Sequence, residues 1–370
     1  MHRQRECGPV RAERLVRVLA RLVLIVLAGS LAAASLVPLV PTEWWAVRLL
    51  DFPRLPLAFA LAAVCLALVP FLRQNPGTTA TALALVACAL VVDLWILWPY
   101  LPGSMQRIEA CPVERKLSVL VANVQLGNRN ARPLVEAVER EQPDLFLAME
   151  TDAWWDEALT PLRASMPHGL QRITGSYYGI HLLSRLPLVN GEVRYLAGQD
   201  TPAVVTGVNL RSGEVIDFVG LHPRPPQPWQ SARGRDAQLY AAAVVLRERV
   251  EPGVIAGDLN ATPWEIAVER MMRLSGLIDP RRDRGYVATW NAHSSLWRWP
   301  LDHVFHEGGF ATVSVERLDA FGSDHFPYLV RLCRRSGEGP AAAMPREAGD
   351  VAAANAVLSA AGATERVQPR

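Results

Sequence analysis

Lysine is almost missing from this chain: Lys116 is the single one among 38 basic residues, which stand against 36 acidic ones. A net charge of +2 leaves no surplus to neutralise a phosphate backbone, which excludes a protein built to coat nucleic acid. The arginine bias runs through the whole sequence and so reads as compositional rather than as a local signal. Cysteine is scarce too, with five in 370 residues, and no HExxH spacing occurs, which disfavours zinc as the metal of any site.

Charge is absent from Leu22–Val40 and from Leu55–Leu72, and a third run from Thr78 to Tyr100 is broken only by Asp93. Each run is long enough to cross roughly 30 Å of hydrocarbon at about 1.5 Å per residue. The first alone would read as a cleaved signal peptide; two more of similar length predict three spanning helices. Arg3, Arg5, Arg11, Arg14, Arg17 and Arg21 precede the first span and Arg73 lies in the second loop, favouring a cytoplasmic N-terminus. Arg48 and Arg54 run against that trend in the first loop, beside Glu43 and Asp51. An odd number of spans then places everything beyond residue 100 outside the cytoplasm, as a multi-pass protein of the plasma (inner) membrane. Asp93 falls near the outer end of its span, beside Trp95, Trp98 and Tyr100, and is expected to be a solvated carboxylate.

The chain thus divides into a basic cytoplasmic N-terminus (1–21), a three-helix anchor (22–100), a linker (101–116), a soluble domain (117–335) and a Gly/Ala/Pro-rich tail (336–370). The tail is expected to be disordered, being too poor in large apolar residues to bury a core. In the soluble domain, SVLVANV, DLFLAM, YYGIHLLS, AVVTGVNL, EVIDFVGLH, GVIAGDLN, LDHVF, ATVSVERL and PYLVRLC read as strands. Helices are expected after Pro133, over Arg235–Arg249 and over Trp264–Leu274, and a hairpin at Arg211–Gly213. Strands outnumber the helices dispersed among them, which predicts an α+β sandwich of two sheets with helices outside. Cys111 and Cys333 flank the first and last strands; if those are antiparallel neighbours, a disulfide is within reach in an oxidising compartment.

Several strands end on a polar residue: Asn123, Glu150, His222, and the pair Asp258 and Asn260. Asp302 opens a strand, and Asp324–His325 precede the last one. Singly, each is what a solvent-exposed strand end looks like. Together, at one rim of a sandwich, they supply carboxylates, imidazoles and amides. That set suits phosphate-ester hydrolysis, which needs a hard cation held by oxygen ligands, a His steered by a carboxylate, and neutral donors for phosphoryl oxygens.

The ordered segments NVQLGN (123–128), METDAWW (149–155), GIHLLSRLPL (179–188), VGLHPRPP (219–226), GDLNATPW (257–264), LDHVF (301–305) and GSDHFP (322–327) resemble the endonuclease/exonuclease/phosphatase superfamily, the deoxyribonuclease I-like group, in a membrane-anchored bacterial form. The likeness covers about 115–333, and GDLN and SDH are its most specific pieces. It implies a four-layer α/β sandwich of two mixed β-sheets flanked by helices, behind the three transmembrane helices. It also implies Glu150 as the principal Mg²⁺ ligand (Mn²⁺ as the alternative ion), with Asn123 beside it and Asp324 completing the shell. Asp258 would activate water, Asn260 would hold the phosphate, His325 would pair with Asp302, and His222 would contact phosphate or leaving group.

His303 should point to the opposite strand face, and His181, Tyr178 and Ser184 are expected to serve the fold. His293, Trp297 and Trp299 border the groove or cover a sheet edge, and Trp154, Trp155 and Trp264 contact substrate or pack under loops. The implied partners are the membrane and a phosphate-ester substrate, whether phospholipid, nucleic acid or sugar phosphate; no obligate protein partner is implied. The rivals are an extracytoplasmic nuclease and an inactive sandwich kept as a binding module.

Overall fold

The charge-free runs form helices, the structure in which a backbone satisfies its own hydrogen bonds, as a hydrocarbon layer would require. In the computed structural model, which describes residues 8–103, 111–335 and 343–368, they form α1 (Gly8–Leu36) and, after the short α2 (Trp45–Leu49), α3 (Arg54–Leu68) and α4 (Pro76–Leu97). Ala12–Leu39, Arg54–Phe71 and Pro76–Tyr100 are long and apolar enough to span a membrane. Small residues, Ala28 and Ala32 of α1 and Ala82 and Ala89 of α4, pack with Leu61 and Leu68 of α3. Small side chains let helix axes approach closely where lipid supplies no hydrophobic drive.

Asp93 corrects an expectation. It is buried, and Arg54 Nη1 reaches its Oδ1 at 2.8 Å while also donating to the Ser35 carbonyl at 3.2 Å. A carboxylate inside an apolar bundle persists as an ion when a cation and hydrogen bonds replace its water. Its partner lies 39 residues away, on another helix, so the sequence around Asp93 held no sign of it.

The described chain separates into two compact units, residues up to Thr42 with Pro53–Pro99, and Glu43–Phe52 with everything from Tyr100. The first loop therefore belongs to the soluble domain rather than to the anchor. The expected linker is partly folded onto that domain as well. Gly103 N donates to Asp283 O at 3.1 Å, and Tyr100 packs edge-on against Trp264.

The soluble domain contains β1 (Lys116–Asn123), β2 (Leu145–Met149), β3 (His168–Arg172), β4 (Ile180–Ser184), β5 (Leu188–Arg194), β6 (Ala203–Asn209), β7 (Val215–Leu221), β8 (Gly253–Asp258), β9 (Leu277–Ile278), β10 (Asp302–Glu307), β11 (Phe310–Arg317) and β12 (Tyr328–Arg334). The helices are α5 (Arg132–Glu141), α6 (Ala153–Ala158), α7 (Arg233–Glu248), α8 (Ile266–Ser275) and α9 (Asp350–Ala360). Two six-stranded mixed sheets form, ordered β11-β12-β1-β2-β4-β3 and β5-β6-β7-β8-β10-β9.

One apolar core lies between the sheets, where Leu147, Val119 and Tyr328 of the first meet Phe218, Val254 and Val304 of the second. A second core, with Val138, Phe146 and Trp155, lies under α5 and α6. A third, with Val219, Ile255 and Phe305, lies under α7 and α8. The central strands are therefore covered on both faces. That is why LFLAM and GVIAGD are buried at every residue and read as continuous apolar runs rather than alternating ones.

β1 pairs antiparallel with β12, bringing Lys116 opposite Cys333. Cys111 and Cys333 form a disulfide with Cα atoms 5.9 Å apart. The tail departs from expectation: residues 343–368 are packed, while 336–342, 369 and 370 lie outside the described residues. Ala354 and Leu358 of α9, with Ala363 and Val367, join the core of α7 and α8. Alanine is the best helix former and lets α9 lie close to the alanine-rich face of α7, so a small-residue helix can dock without large side chains. Asp350, at its first turn, accepts from Arg273 Nε at 2.8 Å and Nη2 at 2.9 Å.

Candidate active site

The two inner strands β8 and β10 set the site. Asp258 and Asp302 are opposite one another in register, so both carboxylates emerge on the same side at the same end. Gly257, just before, has φ +146°, and a Cβ there would stand 1.8 Å from the Leu221 carbonyl oxygen; only glycine lets β8 approach β7 that closely. Asn260 follows in the left-handed region, φ +51°. Its N–H donates to Asp258 Oδ1 at 2.9 Å and its Nδ2 to the Pro223 carbonyl at 3.0 Å.

From the other sheet, β1 delivers Asn123 and β2 delivers Glu150 one residue past its end. Asn123 Nδ2 bridges Glu150 Oε1 at 2.9 Å and Asp258 Oδ2 at 3.0 Å, while its Oδ1 accepts from Gln125 N at 2.9 Å. Two carboxylates demand donors and a backbone N–H demands an acceptor, so the amide has one orientation. Asn123 thus ties both acids together through its nitrogen while its oxygen accepts from the Gln125 backbone.

His325 stands between two acids. Its Nδ1 is 2.8 Å from Asp302 Oδ2 and its Nε2 is 3.5 Å from Asp258 Oδ2. Burial works against a charge on this ring, but Asp302, Asp258 and Asp324 outweigh it and raise its pKa to about 10. A raised pKa means that the pairing stabilises the fold fully below the ring's ordinary 6.5 and that this contribution is lost as pH rises through about 10. In Asp302→Asn, the imidazole should titrate nearer its ordinary value in an NMR pH series; a titration unchanged from the wild type would refute the clamp. Thr289 Oγ1 accepts from Asp302 N at 3.1 Å, and Ser323 Oγ accepts from His325 N at 3.0 Å, fixing the backbones beneath both.

His222, past the end of β7, holds Nε2 at 3.7 Å from Asp258 Oδ2. Its ring lies 5.7 Å from that of Tyr178, over which the Arg224 guanidinium sits at 5.1 Å. Burial raises the Tyr178 phenol, opposed by Arg224 and assisted by Asp200 and Glu150. Tyr178 therefore walls the site, where sequence reading assigned it to the fold. Asp324 accepts from Trp290 Nε1 at 2.9 Å through Oδ2, and its own N–H donates to Gln125 Oε1 at 3.2 Å. Sequence reasoning missed Gln125 and Trp290. Gln125 sat inside a quoted motif two residues after Asn123, whereas Trp290 lies in an aperiodic insertion that carried no signal.

His303, His181, Ser184, Trp155 and Trp264 are buried within the fold. His303 is buried, its Nε2 bonded to Ala261 O at 2.8 Å and its Nδ1 to Arg281. His181 bonds Thr151 and Asp156, and Ser184 closes a turn with Leu186. Trp155 is fully buried and donates to Asn128 O; Trp264 is buried and donates to Asp51 O. Trp154 is exposed under Arg129, and His293 is exposed, bonded through its backbone to Asn291.

The donor set suits a hard divalent cation. Three carboxylates, Asp258, Asp302 and Asp324, act on one imidazolium, and Asn123 links Glu150 to Asp258, an acid excess that a cation would relieve; Asp302 Oδ1 is buried with no partner among the described residues. Asp258, Asp302 and His325 offer ligand atoms within 4.8 Å of one another. His325 is a poor ligand in that trio, because Nδ1 is bonded to Asp302 and the surrounding acids keep the ring protonated. Glu150 and Asp324 are part-exposed, unlike Asp258 and Asp302, which are buried.

A sequence model of the Endonuclease/Exonuclease/phosphatase family matches residues 120–325. No curated protein matches the chain. Among solved structures, an endonuclease/exonuclease/phosphatase from Bacteroides vulgatus is 16% identical with a TM-score of 0.50, covering 60% of this chain and 99% of that one. TDP2 of D. rerio, complexed with single strand DNA product, is 18% identical at a TM-score of 0.50, over 59% and 98%. An endonuclease/exonuclease/phosphatase from Beutenbergia cavernae DSM 12333 is 20% identical at 0.49, over 60% and 72%. At these identities the likeness is one of fold.

Proposed function

The chain belongs to the endonuclease/exonuclease/phosphatase family, whose members are metal-dependent hydrolases of phosphoric esters, and on that premise we propose that it is a membrane-anchored phosphoesterase working outside the cytoplasm. The observation that carries this reading is the clamp of His325 between Asp302 and Asp258, with Asn123 tying Asp258 to Glu150. It assembles an acid–base pair, a protonated imidazole and a cation-binding rim within one hydrogen-bonded network.

Glu150 and Asp324 would hold the ion, Mg²⁺ with Mn²⁺ as substitute, which when bound neutralises charge on the phosphoryl oxygens. Asp258 orients the attacking water and takes its proton; the N–H donors of Asn260 and Asn123 fix the carboxylate for that task. His325, kept charged by Asp302, donates to a phosphoryl oxygen as negative charge builds there. Asn260 has one amide N–H left after its bond to Pro223, and it and the His222 ring add donors beside Asp258.

Three observations support the outward placement: the arginines before the first span, the odd number of candidate spans, and the Cys111–Cys333 disulfide. Such bonds persist in oxidising compartments. The full chain in detergent should hydrolyse a generic phosphodiester or phosphomonoester with Mg²⁺ and lose that activity in chelator, regaining it when Mg²⁺ is returned. A panel of phospholipid, single-stranded DNA and sugar phosphate decides the substrate; the DNA arm is prompted by the product complex of TDP2. Hydrolysis indifferent to chelator would refute the mechanism. An alkaline phosphatase reporter fused after Tyr100, which matures only where its disulfides form, should be active; a fusion that is expressed but inactive would refute the placement.

A further inference from the structure

The first loop, Glu43–Phe52, folds with the soluble domain, and its contacts lead to two of the site's residues. At its start, Glu43 O accepts from Ala232 N at 2.9 Å, and Glu43 Oε2 meets Arg233 Nε at 2.6 Å. At its end, Asp51 O accepts from the buried indole of Trp264 at 2.8 Å. Arg48 and Asp51, themselves buried, form an ion pair at 3.2 Å. Both lie near enough to act on the Glu265 carboxyl, which burial raises, Arg235 opposes, and Asp51 pushes further, to about 7.

From Trp264 the path continues into the catalytic loop. The next residue, Glu265, is buried and bonds Arg235 Nη2 at 2.7 Å, and Arg235 Nη1 donates to the Asn260 carbonyl at 3.0 Å. Asn260 holds a left-handed backbone, which asparagine adopts more readily than most other side chains, and its carbonyl is tied to Arg235. A second path starts at Phe52, whose ring lies 6.5 Å from that of Trp299. Trp299 is paired through its backbone and its ring (6.0 Å) with Trp290, and Trp290 donates to Asp324. The same loop is joined covalently to the helices on either side of it.

We propose that Glu43–Phe52 is a positioning element of the active site, setting Asn260 through Trp264 and Asp324 through Phe52, so that the catalytic domain is complete only with the loop its anchor supplies. This rests on the function proposed above, because it is that reading which gives Asn260 and Asp324 their tasks. A buried indole N–H left without its acceptor, or a void behind Trp299, would loosen these two residues while leaving both sheets intact.

The test uses the full chain in lipid nanodiscs, with Mn²⁺ alone as a probe followed by paramagnetic resonance, turnover on the phosphodiester, and near-ultraviolet dichroism to score folding. Phe52→Ala should weaken Mn²⁺ binding about 10-fold and raise the half-saturating metal equally, and Phe52→Leu, which refills the void, should restore most of it. Trp264→Phe removes the N–H and keeps the packing; it should lower kcat about 10-fold with KM and Mn²⁺ affinity unchanged. Wild-type metal affinity in Phe52→Ala together with wild-type kcat in Trp264→Phe would overturn the proposal, as would losses that merely follow the folded fraction. If the wild-type chain hydrolyses no phosphoester, the proposed function fails and the Mn²⁺ arm alone decides this one. Wild-type protein that neither hydrolyses nor binds Mn²⁺ would sink both.

Discussion

In Asp258→Asn, turnover falls by about 10²- to 10⁴-fold, the range spanned when a positioned general base is lost. The amide matches the carboxylate in shape, so steric causes are removed. Its oxygen can still accept from Asn260 N, as Asp258 Oδ1 does at 2.9 Å. The other position turns from acceptor to donor and faces Asn123 Nδ2, which now reaches Asp258 Oδ2 at 3.0 Å. That opposition of donors costs about 1–3 kcal/mol, a stability change visible in thermal unfolding yet too small to unfold the domain. His325 also loses one of the two acids that hold its charge, so part of the effect passes through the imidazolium. Adding His325→Ala on top should therefore cost far less than in the wild-type background, because residues acting as one unit are not additive. Single-turnover rates with saturating Mg²⁺ on the single and double variants check this. Turnover in Asp258→Asn within about 10-fold of the wild type would remove Asp258 from the proton-transfer role.

Breaking the Cys111–Cys333 bond lowers stability by about 3–5 kcal/mol, toward the upper end for disulfides, because the bond closes a loop of 222 residues. It also clips the chain at the β1–β12 pairing, in the interior of the first sheet, so the freed end is the start of a central strand rather than of an edge. Urea unfolding of the soluble-domain signal in Cys333→Ser, and of the wild type with reductant, should show midpoints shifted down together. The active site lies at the far end of β1, at Asn123, so turnover by the folded variant should stay close to normal. An unchanged midpoint would mean that the unfolded ensemble gains little freedom from losing the crosslink. In cells, alkylation that reaches these two cysteines only after reduction would agree with an oxidising compartment.

The edges of both sheets show where sequence legibility stopped. β3 and β5 are edge strands with mostly exposed or half-exposed residues, so HGLQR and LVNGEVR carried no apolar run to find. The interior strands were legible for the opposite reason, being buried on both faces by the sandwich. α9 was misjudged because alanine content says little about burial when the receiving surface is equally small. Asp93 was misjudged because the arginine that pairs with it comes from another helix.

By itself, the sequence determined the apolar spans, the interior strands and the inventory of acids, imidazoles and amides at strand ends, since these follow from local composition and periodicity. Only the tertiary structure decided how that inventory is used. Asn123 turns its nitrogen rather than its oxygen to the acids, and His325 stands between two carboxylates instead of beside one. Trp290 donates to Asp324, and the loop between two candidate membrane spans folds with the soluble domain. The physical reason is that orientation and pairing are set by partners distant in sequence, through hydrogen bonds whose direction depends on three-dimensional register.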